Sequence, residues 1–433
     1  MQEYLLNNNL KLVYKPSESE LTSICISLGA GAGVEKEKLG IAHATEHMVY
    51  KGTKKRSEQK INEDLSNIFG FNNAMTNYPY VIYYGTLLSE DIKKGVELIS
   101  DIIINPDFKE DGFKEEMDVI KEELKEWDEE LEQYCEDKLF FNSFKNRRIR
   151  YPIIGTKESL ESITLNDIKE FYNRYYFPEN TAIVVISSVE FDKVRDIIEE
   201  YFGTWKNNLK VTLKEDYNYG IDLKDELFIN KSIKNNLGIT IIEYEKPKID
   251  LFKNKRDGVK TCKVEIICPI DELSEKEIKA FRIFNQYFGE GVNSILYDTL
   301  RTKNGLIYDV ITKISNENYI KLYKITFGTS KEKLEETLSL FNKCVENICS
   351  LNKLEESLSD DTIKKLVKSY KLKRLFREEQ SIILAKELAT YETMFGDYKI
   401  YMDEIDDINE LSKEMIFKVG KKVLTNSTVQ IID

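Results

Sequence analysis

Leu39-Gly-Ile-Ala-His43-Ala-Thr-Glu46-His47-Met-Val-Tyr-Lys-Gly52-Thr53 holds the only two histidines of the 433-residue chain. Residues at i and i+4 share one face of an α-helix, so His43 and His47 can grip one Zn²⁺ while Glu46, between them, reaches a water on the metal. Two imidazoles leave an open catalytic site one protein ligand short, because three protein ligands plus water is the usual set. With no further histidine in the sequence, the third ligand has to be a carboxylate or a thiolate.

Working outward, the run Phe113-Lys-Glu-Glu116-Met-Asp-Val-Ile-Lys-Glu122-Glu123-Leu-Lys-Glu-Trp127 has a helical pattern, with Phe113, Met117, Val119, Ile120, Leu124 and Trp127 as its expected buried face. At about 100° per residue, Glu123 falls roughly 70° from the centre of that face and Glu122 roughly 170° away, so Glu123 is the carboxylate able to point inward. Glu116 is seven residues earlier and lies on the same side.

These residues resemble the pitrilysin-type inverted-zincin metallopeptidases, the family of insulin-degrading enzyme and the mitochondrial processing peptidases. The resemblance is dense in the first half. Gly40-Ile-Ala-His43-x-x-Glu46-His47-Met-x-Tyr-Lys-Gly52-Thr53 fits the metal helix, and Glu116-x-x-Val-Ile-x-Glu122-Glu123-Leu fits the segment with the distal glutamate ligand, 76 residues after His47. The resemblance implies that Glu123 binds zinc, that Glu116 supports the site from behind a ligand, and that Asn73-Ala74-Met-Thr76 borders the substrate strand. In the second half, Leu300-Arg301-Thr-Lys-Asn-Gly305-Leu306-Ile-Tyr308 carries an Arg and a Tyr seven residues apart, which in relatives reach the peptide beside the zinc. Outside that motif the second half resembles the family only in layout.

The length exceeds what one core organises, so two domains are expected. Strands are expected at Leu10–Tyr14, Thr22–Leu28, Tyr80–Leu88 and Thr181–Ile186. A helix capped by Ser57 should stop at Gly70, and another should run from Phe191 to Phe202. Around residues 207–221 the pattern dissolves into Asn, Lys, Asp and Gly, which sets the expected domains at 1–207 and 222–433. The second half replays the programme, with strands at Lys263–Cys268, Leu306–Ile314 and Tyr319–Thr326 and a helix at Glu275–Phe288. Its close, Asp407-Ile-Asn-Glu-Leu and then Asn426-Ser-Thr-Val-Gln-Ile-Ile, echoes Ile163-Thr-Leu-Asn-Asp-Ile and Asn180-Thr-Ala-Ile-Val-Val-Ile. The expected fold is α+β: two similar domains from a duplicated plan, each an antiparallel-rich sheet packed with helices. The second half has no histidine, so any metal belongs to the first.

A net charge of -13 and a pI near 5.1 argue against nucleic acid as a partner, since its phosphates would be repelled. Cys25, Cys135, Cys262, Cys268, Cys344 and Cys349 show no C-x-x-C spacing and read as reduced core thiols. Neither a basic-then-apolar leader nor a run of membrane-spanning length is visible, which suggests a cytoplasmic chain without a membrane partner. The expectation is a zinc metalloendopeptidase in which Glu46 is the base, Zn²⁺ sits on His43, His47 and Glu123, and Arg301 and Tyr308 contact the substrate. An extended peptide would add as a strand near Asn73 and Ala74. Four domains enclose the cavity in larger single-chain relatives and this chain supplies two, so the resemblance implies a homodimer whose paired subunits form the chamber. The competing expectation is a catalytically silent binding or partner subunit.

Overall fold

The computed structural model describes residues 1–207, 244–350 and 359–433, and the chain divides into two compact units. The linker expected at residues 207–221 falls almost entirely outside the described residues, as does the first part of 221–261.

One unit comprises Met1–Lys125, Pro152–Ile242 and Arg377–Tyr401. Its sheet contains β1 (Gln2–Leu5), β2 (Lys11–Pro16), β3 (Leu21–Leu28), β4 (Phe69–Thr76), β5 (Val81–Leu88) and β6 (Thr181–Ser187), in the spatial order β1-β2-β6-β3-β5-β4. Only β2 and β6 pair in parallel. Every residue of β6 is buried, which is why Thr-Ala-Ile-Val-Val-Ile-Ser reads as a continuous apolar run rather than an alternating one. Such a strand needs cover on both faces. Part of that cover is the Ser381–Phe395 helix, which packs across β3, β5 and β6. Its Ser381 and Thr393 hydroxyls lie 2.9 and 2.8 Å from those of Ser23 and Ser27, and its Glu392 pairs with Lys11 at 3.0 Å.

The other unit comprises Glu126–Tyr151, Glu243–Phe376 and Met402–Asp433. Its strands β7 (Leu251–Asn254), β8 (Thr261–Pro269), β9 (Ile307–Ser315), β10 (Leu322–Ser330) and β11 (Thr428–Ile432) lie in the order β7-β11-β8-β10-β9, with β7 and β11 parallel and the rest antiparallel. Without β1, the first sheet has the same topology, β2-β6-β3-β5-β4. The duplicated plan is therefore realised strand for strand. The Leu131–Ser143 helix covers β8 and β11 here, with Glu132 on Lys263 and Glu136 on Lys324, each at 2.7 Å. The units are thus not the contiguous stretches 1–207 and 222–433: each takes one helix from the other half of the chain. Amphipathic periodicity says that a helix buries a face, not which sheet receives it.

Two local differences from the expected elements stand out. The helix capped by Ser57 spans Glu58–Ile68 and runs straight into β4, a strand the sequence reading did not resolve. Gly70, Asn72 and Asn73 are poor strand formers, and β4 is held by pairing with β5 across an irregularity between Phe69 and Phe71. It is the outermost strand of its sheet. Strand β10 begins at Leu322 rather than Tyr319, because Tyr319 and Lys321 adopt φ of 66° and 49°, the left-handed region where extended pairing is impossible. The helices at Phe191–Phe202 and Glu275–Phe288 have the expected bounds.

Candidate metal centre

The histidine helix, Ile41–Val49, starts at Gly40 with φ of 89° and no side-chain cap of its own. A Cβ on Gly40 would stand 2.3 Å from the Ile154 carbonyl oxygen, so both conformation and space demand glycine. The missing cap comes from Glu35, whose buried carboxylate accepts the Gly40 and Ala42 N–H groups at 3.0 and 2.9 Å. A carboxylate at a helix N-terminus also complements the helix dipole. The opening turn that presents His43 is thereby fixed.

The second contributor is the glutamate helix, Glu110–Glu129. Met117 and Ile120 are buried, whereas Val119 is exposed, so the buried stripe is narrower than expected and leaves Val119 outside it. Glu123 faces the imidazoles. Glu122 points outward and pairs with Lys125 at 2.6 Å.

His43 Nε2 and His47 Nε2 are 3.2 Å apart, and Glu123 Oε2 lies 3.9 and 3.7 Å from them. The point equidistant from the corners of such a triangle is about 2.1 Å from each, the length of a zinc bond to imidazole nitrogen or carboxylate oxygen. His47 Nδ1 meets Glu116 Oε1 at 2.7 Å. An ionised carboxylate only accepts, so Nδ1 carries a hydrogen and Nε2 is the nitrogen left to meet a cation. Burial pushes the Glu116 carboxyl up, but the hydrogen bonds from His47 and Lys51 outweigh it and hold the group below its ordinary value. Burial, with His47 alongside, pushes His43 down to about 3, which keeps that imidazole neutral. Burial pushes the His47 imidazole down, but the hydrogen bond to Glu116 and the charges of Glu46 and Glu123 outweigh it and raise the group, so a cation binding there displaces a proton from that ring. Two ring nitrogens and a carboxylate converging on one point suit a borderline-soft divalent cation such as zinc.

Glu46 is buried on the same helix turn as both imidazoles, next to His47 and three residues after His43. Burial raises its carboxyl to about 6, against the pull of a hydrogen bond from the Thr76 hydroxyl at 2.5 Å. Thr76 closes β4, so the edge strand itself holds the carboxylate. Asn73 and Ala74 lie on the same strand, where the Ala74 N–H donates to Asn73 Oδ1 at 2.9 Å.

Arg301 and Tyr308 belong to the other unit, where they meet each other. The guanidinium carbon is 4.8 Å from the Tyr308 ring centre and 5.0 Å from that of Tyr297, and Arg301 Nη1 hydrogen-bonds the Tyr297 hydroxyl. Tyr308 stands on β9, the outermost strand of its sheet, with 82% of its surface exposed. In this unit, Lys373 on the Asp360–Glu378 helix bonds Gln286 and Glu290 through its ammonium at 2.8 and 3.1 Å.

Glu35 and Lys51 were not recognised as parts of the site from sequence, and Thr76 was placed beside the substrate strand without its contact to Glu46. Lys51 is four residues beyond His47, a spacing that offered a signal. Glu35 and the Thr76 contact offered none, because both depend on how separate elements pack.

Residues 12–157 match the family described as Insulinase (Peptidase family M16), and residues 162–366 match the one described as Peptidase M16 inactive domain. The chain belongs to peptidase family M16. Among M16 relatives, the Uncharacterized zinc protease YmxG of Bacillus subtilis (strain 168) is 23% identical over 429 residues, 98% of this chain and 96% of that protein. An uncharacterized zinc protease of Rickettsia felis is 25% identical over 430 residues, 99% of this chain and 96% of that one. Mitochondrial-processing peptidase subunit beta of Saccharomyces cerevisiae is 31% identical over 191 residues, 44% of this chain and 41% of that one. The fold matches the crystal structure of a protease from Helicobacter pylori with a TM-score of 0.81 at 21% identity, over 100% of this chain and 99% of that one. Among the described residues, no helix is long and apolar enough to cross a membrane.

Proposed function

We propose that this M16 protein is a cytoplasmic zinc-dependent endopeptidase acting on extended peptides. The observation that carries the reading is the triangle of His43 Nε2, His47 Nε2 and Glu123 Oε2 with the buried carboxylate of Glu46 beside it. A zinc ion held there supplies a Lewis acid for the scissile carbonyl and lowers the pKa of a water towards neutrality. Glu46 takes the proton from that water and passes it to the leaving amine. Thr76 occupies one of its oxygens and leaves the other for the proton. The peptide adds to the open edge of β4 by main-chain hydrogen bonds, its carbonyl replacing Asn73 Oδ1 on the Ala74 N–H. Such pairing reads little of the side-chain sequence. The buried, unpaired thiols at Cys25, Cys135, Cys262, Cys268 and Cys344 support a reducing compartment.

Arg301 and Tyr308 hydrogen-bond the substrate carbonyl or the developing oxyanion. The exposed placement of Tyr308 on an outermost strand, with Arg301 of the Asp298–Lys303 helical segment stacked on its ring, supports a role in reaching a bound peptide. In the working form, a homodimer encloses the chamber and each chain lends this pair to the zinc of its partner.

Cleavage of a quenched peptide before and after zinc removal by a chelator tests the activity. Turnover should vanish on stripping and return with Zn²⁺; a fully zinc-loaded wild type that cleaves no peptide would favour the silent partner subunit. Mixing an Arg301→Ala, Tyr308→Phe variant with a Glu46→Gln variant tests the sharing, since each mixed dimer should regain one site. No recovery after subunit exchange, with the parent active as a monomer in light scattering, would refute it.

A further inference from the structure

The two imidazoles differ in what stands behind them. His43 Nδ1 is buried with no hydrogen-bond partner among the described residues. His47 Nδ1 is held by Glu116, and the aim of the ligand pair therefore rests on that carboxylate. A carboxylate gripped through one oxygen can still rotate about its own bonds. The other oxygen of Glu116, Oε2, lies 3.2 Å from Lys51 Nζ. Lys51 also meets Glu58 Oε2 at 2.8 Å and Glu115 Oε2 at 3.9 Å. Of these three acids only Glu116 is largely buried, its side chain 14% exposed against 43% for Glu58 and 74% for Glu115, while that of Lys51 is 12% exposed.

Lys51 is itself firmly placed. It follows the C-cap Tyr50 of the histidine helix, its own N–H donates to the Met48 carbonyl, and Gly52 turns the chain immediately afterwards with φ of 130°. Its aliphatic stem lies along the first turn of the glutamate helix, where a Cβ built on Gly112 would meet Lys51 Cβ and Cε at 3.4 and 3.5 Å. One lysine thus ties the end of the histidine helix, the start of the Glu58–Ile68 helix and the glutamate helix to a single carboxylate.

We infer that Lys51 is a positioning residue of the metal centre, acting through Glu116 to fix the ring of His47. The inference rests on the zinc reading above. Removing a partner that orients a ligand typically weakens metal affinity by about 10-fold or more. An ordinary surface ion pair would move it little.

The experiment is competition with a chromophoric zinc chelator on wild type, Lys51→Met, Lys51→Arg, Glu116→Gln and the Lys51→Met, Glu116→Gln double variant, with thermal unfolding of each zinc-free protein as the control for folding. Lys51→Met should bind zinc about 10-fold more weakly and Lys51→Arg should recover most of the loss. In the Glu116→Gln background, the Lys51 change should cost nothing further, because the residue it acts through is already disabled. An unchanged affinity in Lys51→Met, or an equal loss in both backgrounds, overturns the inference. A wild type that takes up no zinc overturns the metal reading and this inference with it; tight wild-type binding with an unaffected Lys51→Met overturns the inference alone.

Discussion

Replacing Thr76 by Val keeps the shape of a buried residue at the end of β4 and deletes the hydroxyl that donates to Glu46 Oε2. That hydrogen bond favours the charged carboxylate, which burial otherwise pushes up to about 6. A hydrogen bond to a charged group contributes about 1.5–3 kcal/mol, and about 1.4 kcal/mol corresponds to one pH unit. The Thr76 backbone also helps to hold Glu46 down and survives the change, so the low end applies and the carboxyl should rise by about one unit. Glu46 accepts a proton only when ionised, so activity is lost as pH falls through its pKa. A bound dication draws that pKa down, placing the wild-type acid limb at or below pH about 6. In Thr76→Val, the acid limb of kcat/KM for a quenched peptide should move up by about one unit, with the alkaline plateau and the zinc content retained. An unmoved acid limb in a fully zinc-loaded variant would refute the claim that this hydroxyl tunes the base.

The adjacent carboxylates should behave oppositely: Glu123→Gln should lose zinc affinity by at least about 10-fold and Glu122→Gln should not, and equal losses in equilibrium dialysis would show the helix register to be wrong. Zinc-free Glu46→Gln should be more stable than the zinc-free wild type at pH 8. The folded carboxyl titrates above its unfolded value of 4.5, at about 6, so its burial penalty is absent below the first value and complete above the second. The difference should reach about 2 kcal/mol at pH 8 and vanish near pH 4, as urea unfolding at the two values can measure; equal stability at pH 8 would count against a buried, charged Glu46.

Much of the candidate metal centre was legible because its logic is local. The spacing of His43, Glu46 and His47 fixes their shared face, and the same periodicity separates Glu123 from Glu122. The resemblance added Glu116, which the structure places against His47 at 2.7 Å. What stayed hidden depends on contacts between elements distant in sequence. Strand β4 has a weak local preference and exists through its pairing with β5. Thr76 meets Glu46 across thirty residues only once β4 lies beside the histidine helix. The reciprocal exchange of the Leu131–Ser143 and Ser381–Phe395 helices leaves no mark on either helix's own pattern. The strand topology of the two units repeats more faithfully than their sequences, since pairing order constrains polar backbone groups while side chains only have to fill the core.

Zinc stoichiometry together with peptide turnover of purified Glu46→Gln tests whether one zinc-supported site uses Glu46 as its base. The amide keeps the shape of the carboxylate and cannot take the proton, so zinc should be retained at one ion per chain and turnover should fall by about 10²–10⁴. Turnover near the wild-type rate with zinc still bound would contradict that role for Glu46.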